Sequence, residues 1–251
     1  MIPLRDDNPA GRRPYVTVAL ILVNAVLFLY ELSLGPQGLQ AFLFDSAFVP
    51  ARMFEEGAGG LGFSTSSILL SMFLHGGWAH FLGNMLFLWV FGDNIEDELG
   101  HLRFVVFYLV AGFAAAFAHA FAHPASALPA IGASGAIAGV LGAYLLIHPK
   151  APIVTLVFLG FFITTIRVPA IVYLPIWFLI QLVSGVASLG GAAVAESGGV
   201  AWFAHIGGFV AGPLLLLLLR RPAGGRRRRP GRPSATATLP GRYRTSERPR
   251  R

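Results

Sequence analysis

Residues Ala130 to Ile147 read AIGASGAIAGVLGAYLLI, a run with no charged residue that is close to the roughly 20 helical residues needed to cross a bilayer core. At 100° per residue, Ser134, Ala138, Gly142, Gly135 and Gly139 fall at about 0, 40, 80, 100 and 140° around a helix, so one face is almost free of side chains. A second helix can approach that face very closely. Residues Ala204 to Gly212 supply a partner by the same arithmetic. His205, Gly208 and Gly212 lie within about 60° of one another, and Gly208 and Gly212 form a GxxxG. These two stretches predict a membrane-embedded bundle in which Gly135, Gly139, Gly208 and Gly212 form a helix-packing seam.

The composition agrees. Of 251 residues, 55% are apolar or aromatic and 12% charged, against about 25% charged in an ordinary soluble domain. That is too little charge to coat a fold in water. Twelve of the 19 basic residues follow Leu219, so the formal charge of +7 divides into +11 for the tail and −4 for the rest. The basic balance therefore describes a tail and not a body. There is no cysteine, which excludes disulfide frameworks, thiolate metal sites and a cysteine nucleophile.

Six apolar runs have spanning length: Tyr15 to Leu34, Trp78 to about Leu99, Leu102 to Phe121, Ala130 to Ile147, Pro169 to Leu189, and Val200 to Leu219. The second ends in Asp93, Glu96, Asp97 and Glu98, which must emerge from hydrocarbon. The first follows Arg5, Arg12 and Arg13 without a small-residue cleavage site, and reads as an uncleaved signal anchor. A seventh stretch, Ile153 to Ile166, is β-branched, short and bracketed by Lys150 and Arg167. The basic N-terminus and the Arg220 to Arg229 cluster both favour the cytoplasmic side, which demands an even number of spans. Residues 148–168 are therefore expected as a buried loop or interfacial piece at the cytoplasmic surface. Residues 35–77 form a long external connection whose Phe42, Phe44, Phe48 and Met53 suggest that it dips into the outer leaflet. The Arg-, Pro- and Gly-rich tail reads as disordered, touching anionic lipid headgroups, with no folded module for nucleic acid.

Polar side chains within spans cost a few kcal/mol each and mark candidate sites. Four stand out: His80, Asn84, Ser134 and His205. His80 and Asn84 are one turn apart on one helix face. Ser134 and His205 lie at matched depth on the two helices predicted to pack closely, so they can hydrogen-bond. A hydroxyl is inert at neutral pH unless a base takes its proton during attack, and histidine suits that task. No carboxylate lies at this depth, so a Ser–His dyad is expected. The Ser134 N–H, at the start of a helix, and the side chains of His80 and Asn84 are candidate donors to an oxyanion.

The segments His80-Phe81-Leu82-Gly83-Asn84, Gly132-Ala133-Ser134-Gly135 and Ala204-His205-Ile206-Gly207-Gly208, in this order, resemble the rhomboid family of intramembrane serine proteases. Leu74-His75-Gly76-Gly77-Trp78 and Phe91-Gly92-Asp93-Asn94-Ile95-Glu96 also read like that family. The resemblance runs from about Tyr15 to Leu219. It implies an all-α, polytopic membrane protein with a six-transmembrane-helix rhomboid-like bundle over 15–219, flanked by a cytoplasmic segment 1–14 and a basic disordered cytoplasmic tail 220–251. It further implies a multi-pass protein of the cell membrane with Ser134 as nucleophile, His205 as general base, and His80 and Asn84 stabilising the oxyanion. The cavity would open to the outer face. Transmembrane proteins would be the substrates, cleaved in or near the outer end of their span, and membrane lipids the other partners. No cofactor, metal or nucleic acid is implied. Some members carry an aromatic residue stacked on the base one turn after the serine; here that position is Ala138, so Trp202 or Phe209 is expected to take its place.

Two other functions compete. A silent binder of transmembrane segments would be expected to lack the serine or the histidine, and both are present. A transporter would place broken helices and charges at mid-depth. Neither the His-Glu-x-x-His of a zinc protease nor the Gly-x-Gly-Asp of an aspartyl intramembrane protease occurs. His119 and His123 read as interfacial hydrogen-bonding groups, His75 as a partner of the first loop's backbone, and His101 and His148 as residues of cytoplasmic turns. The tryptophans at 78, 89, 177 and 202 read as anchors or packing groups.

Overall fold

In the computed structural model, which describes residues 1–55, 61–160, 162–188 and 201–220, the Ser134 run forms the central helix of the bundle. Among the described residues there are nine helices and three strands. The helices are α1 (Tyr15–Ser33), α2 (Gly35–Ser46), α3 (Pro50–Glu55), α4 (Leu61–Ser71), α5 (Trp78–Leu99), α6 (His101–Ala122), α7 (Ser134–Ile147), α8 (Ala170–Ser188) and α9 (Trp202–Leu219). The strands are β1 (Ile2–Asp6), β2 (Pro152–Leu159) and β3 (Phe162–Pro169). The tail beyond Arg220, expected to be disordered, lies outside the described residues, as do Gly57, Gly59 and Gly60 of the first connection.

Four helices, α1, α6, α8 and α9, are long and apolar enough to cross a membrane. Their outward faces are oily; Leu22 of α1 and Leu217 of α9, for example, are each 59% exposed, which suits lipid and not water. The other two expected spans differ in kind. Helix α5 has the expected bounds but carries four acids near its end. Helix α7 has 14 residues, about 21 Å of rise against a hydrocarbon core of about 30 Å. It begins at Ser134 and not at Ala130, because residues 130–132 are held in an extended path by other bonds. Ala130 N–H donates to the Phe48 carbonyl (2.8 Å) and Gly132 N–H to the Ser71 carbonyl (2.8 Å). Every residue from Gly135 to Tyr144 is buried, so the shortest of these helices is also the innermost.

The seam is built from missing side chains. A Cβ on Gly208 would collide with the Gly135 carbonyl oxygen, and one on Gly212 with that of Gly139. On its other side α7 meets α6, where a Cβ on Gly135 would lie 2.6 Å from the Ala115 methyl and one on Gly139 2.8 Å from that of Ala111. Helices α6, α7 and α9 thus touch backbone to backbone or through alanine methyls, and dispersion and packing hold them together in a solvent without a hydrophobic effect between helices.

The all-α expectation needs correction. Residues 152–169 form an antiparallel hairpin, and β1 joins it in the order β1-β2-β3 with a bulge between Pro3 and Arg5. The physical reason is local: Ile153, Val154, Thr155, Val157, Ile163, Thr164, Thr165 and Ile166 are β-branched and fit a pleated surface better than a helix or loop. Gly160, at φ +63°, makes the reversal that L side chains rarely adopt. Only the end of β2 near the helices is covered, with Ile153 and Thr155 buried, whereas β3 is exposed along most of its length. The first connection is also more ordered than a loop. It holds α2, α3 and α4, and Phe48, between α2 and α3, is buried with Ile68 of α4 and Ala120 of α6.

Polar clamps fix the helix ends. Glu96 of α5 is fully buried and accepts Val16 N–H (2.9 Å), Thr17 N–H (2.8 Å) and the Thr17 hydroxyl (2.7 Å), capping α1, which has no side-chain cap of its own. His101 Nδ1 lies 2.6 Å from the same carboxylate. The Arg103 guanidinium donates to the Leu219 carbonyl (3.0 Å) at the end of α9. Asp6 accepts the Tyr144 hydroxyl (2.5 Å) and the Asn94 amide (3.0 Å), which ties β1 to α7 and α5. Burial pushes the Asp6 carboxyl above its ordinary value, against the Tyr144 hydrogen bond, which pulls it down.

Removing Glu96 leaves two backbone donors, a hydroxyl and an imidazole without their shared acceptor. Glu96→Ala is expected to cost on the order of 3–5 kcal/mol, as when one member of a buried polar pair is deleted. Unfolding of the detergent-solubilised protein checks this; a midpoint equal to that of wild type would mean that the carboxylate does not hold α1 in place.

Candidate active site

Where the path of residues 130–132 leads into α7, Gly132 has φ +121°, and a Cβ there would lie 2.6 Å from His80 Nε2 and 3.5 Å from Ser134 Oγ. Backbone conformation and crowding both require glycine at this point. The consequence is that α5 and the start of α7 close around one spot, with His80 and Ser134 on either side of a bare backbone.

Across from that spot, the α7–α9 seam brings His205 Nε2 to 2.7 Å from Ser134 Oγ. This is a normal hydrogen-bond distance between a hydroxyl and an imidazole. The other ring nitrogen, Nδ1, lies 2.8 Å from Gln181 Oε1 on α8. Trp177, one turn before Gln181, lies 5.9 Å from the imidazole at 37°, and Trp202 lies 6.2 Å away nearly perpendicular to it. The ring is therefore bounded by two indoles, with no aromatic at position 138. Of the two candidates for that place, Trp202 makes the contact; Phe209 packs instead against Trp177 and Phe178.

Ser134, His205, His80 and Asn84 all line one cavity of about 600 Å³, whose wall also includes Gln181 and Trp177. Asn84 is buried and its Nδ2 has no hydrogen-bond partner among the described residues. A buried, unpaired donor is costly unless something accepts from it, and here it adjoins the cavity that holds the serine. The first N–H groups of α7, beginning at Ser134, have no acceptor within their own helix. Donors thus converge near a hydroxyl that is hydrogen-bonded to a base. An acyl-transfer centre needs these parts.

His75 stands behind His80, the two rings 5.2 Å apart. Its backbone N–H is gripped by the two oxygens of Glu31 on α1, each at 3.1 Å. Burial, helped by the neighbouring His80, pushes the His75 ring down to about 4, so it is neutral at working pH. His119 and His123 lie 5.2 Å apart at the end of α6, and His119 lines a smaller cavity on the far side of Ser134. Gln181 is the residue that reading the sequence missed. The available signal was the one used for the others, an amide in the middle of an apolar span.

A family profile for the rhomboid domain matches residues 63–222. RHOMBOID-like protein 4 of Arabidopsis thaliana is 35% identical over 148 residues, 59% of this chain and 32% of that protein. Rhomboid protein 1, mitochondrial, of Saccharomyces cerevisiae is 35% identical over 99 residues, 38% and 29% of the two chains. Rhomboid protease GluP of Bacillus subtilis is 41% identical over 78 residues, 31% and 15%. The matched stretches cover about a third or less of these relatives' lengths. With most of its length matched by the family profile and the three motifs gathered around one cavity, this membrane protein belongs to the rhomboid family.

Proposed function

We propose that this protein is an intramembrane serine endopeptidase that cleaves transmembrane proteins in or near the outer end of their span. The observation that carries the reading is the 2.7 Å contact between Ser134 Oγ and His205 Nε2 at a cavity large enough to admit peptide backbone. Family membership and the relative named as a protease support it.

Ser134 Oγ attacks the scissile carbonyl carbon as its proton passes to His205 Nε2. The carbonyl oxygen becomes an oxyanion that accepts from the Ser134 N–H and Asn84 Nδ2, with His80 beside them. When the C–N bond breaks, the proton on Nε2 goes to the leaving amine. A water molecule then gives a proton to Nε2 and attacks the acyl-enzyme, and collapse returns that proton to Ser134. No step calls for a metal or nucleotide.

The same proposal includes six membrane crossings by α1, α5, α6, α7, α8 and α9, with both termini and the sheet at the cytoplasmic face and the cavity open to the outside. Residues 1–14 form the cytoplasmic segment and residues 220–251 the basic tail. The short α7 supports this arrangement, since it lets Ser134 start below the membrane surface at the bottom of a wettable cavity.

Purified protein reconstituted with a single-pass substrate tests the chemistry. Ser134→Ala and His205→Ala should each abolish cleavage while leaving the fold intact; cleavage retained by either would end the mechanism. Asn84→Ala should slow the reaction by about tenfold or more, in line with the roughly 10²–10³ lost on deleting an oxyanion donor in soluble enzymes. A wild-type rate in that variant would remove Asn84 from the oxyanion site.

A further inference from the structure

A catalytic imidazole must present a bare nitrogen to the hydroxyl it deprotonates, and neutral histidine has two forms that differ in which nitrogen is bare. The partner of the far nitrogen decides between them. For His205 that partner is Gln181, whose amide has an acceptor at one end and donors at the other. Its orientation is set by a second hydrogen bond: Nε2 of Gln181 donates to the Trp177 carbonyl at 3.3 Å, one turn earlier in α8. A carbonyl can only accept, so the NH₂ group must face Trp177 and Oε1 must face His205. Nδ1 of His205 therefore carries the proton and donates it to Oε1, and Nε2 offers its lone pair to the Ser134 hydroxyl. Gln181 is 6% exposed and His205 9%, so bulk water is a poor competitor for either bond.

Building on the Ser134–His205 reading, we propose that Gln181 is a positioning residue that holds His205 in the productive tautomer, a task that soluble serine proteases give to a carboxylate. Protons balance without it: the Ser134 proton moves to Nε2 and on to the leaving amine, while the Nδ1 proton stays in place and Gln181 gains none. The neutral amide has a consequence. The titratable neighbours of the imidazole are His80 on α5 and His119 on α6, and no carboxylate among the described residues faces it. The imidazolium formed during turnover is thus flanked by an amide dipole and the indoles of Trp177 and Trp202, without a carboxylate beside Nδ1.

The test compares cleavage by the reconstituted full chain and its Gln181→Met and Gln181→Glu variants from about pH 5 to about pH 9. Gln181→Met should lower kcat about tenfold or more with KM little changed, since orientation and not substrate binding is lost. Gln181→Glu should recover much of that loss at the alkaline end and move the acid limb of kcat/KM up by about one unit or more, because an adjacent carboxylate favours the charged imidazole. Wild-type kcat in the Met variant, or a Glu variant whose acid limb does not move, would overturn the proposal. Nitrogen-15 spectra of the histidines in the wild-type protein, assigned by the signals lost in His205→Ala, need no folded Gln181 variant. They should show Nδ1 protonated and Nε2 bare at neutral pH, and the reverse would also overturn it. If Ser134→Ala abolishes cleavage while these tests fail, only the role of Gln181 falls. If Ser134→Ala still cleaves, the reading beneath it falls as well.

Discussion

The site depends on two helices touching without side chains between them. Gly208 lies against the Gly135 carbonyl and Gly212 against that of Gly139, so the backbones of α7 and α9 meet directly. One consequence is distance: a serine on one helix and a histidine on the other reach 2.7 Å. Another is rigidity, since α7 is buried from Gly135 to Tyr144 and the methyls of Ala111 and Ala115 on α6 close its other side. A single methyl in this seam would force the helices apart by more than a hydrogen bond tolerates. The chemistry proposed for Ser134 therefore rests on glycine packing before it rests on any acid or base.

Around that contact, each element supplies one constraint. The path of residues 130–132, held by Phe48 and Ser71, starts α7 late and sinks its first residue into the bundle. Gly132 lets His80 come close, and Glu31 reaches from α1 to fix the backbone of His75 beneath it. From the other side α8 contributes an amide and an indole to the imidazole. At the far end of the helices, Glu96, Asp6 and Arg103 join helix and strand ends whose polar groups could not be left bare in lipid.

Much of this was legible in the sequence, for a physical reason. Hydrocarbon penalises polar groups, so His80, Asn84, Ser134 and His205 stood out against their spans, and period-3.6 arithmetic brought the glycines to one face. Gln181 is penalised in the same way and has Ser184 and Gly185 one turn on, but it lies outside the three motifs that drew the other residues together, and its partner is 24 residues away. The sheet was misread because charge balance argued only that residues 148–168 do not span. Their β-branched content is the local signal for strands. The third strand comes from residues 2–6, about 150 positions earlier, and no local pattern announces that pairing. The start of α7 was hard to place for a similar reason: it begins at Ser134 because of bonds to residues 48 and 71, whereas hydropathy alone extended it to Ala130.

The central claim is that Ser134 is made nucleophilic by His205. A fluorophosphonate probe, which couples only to an activated hydroxyl, measures this directly when the labelled peptide is mapped by mass spectrometry. Label on Ser134 alone in the wild-type protein, lost in His205→Ala, is the predicted result. Label on another serine, or undiminished label on Ser134 without the imidazole, would contradict the account.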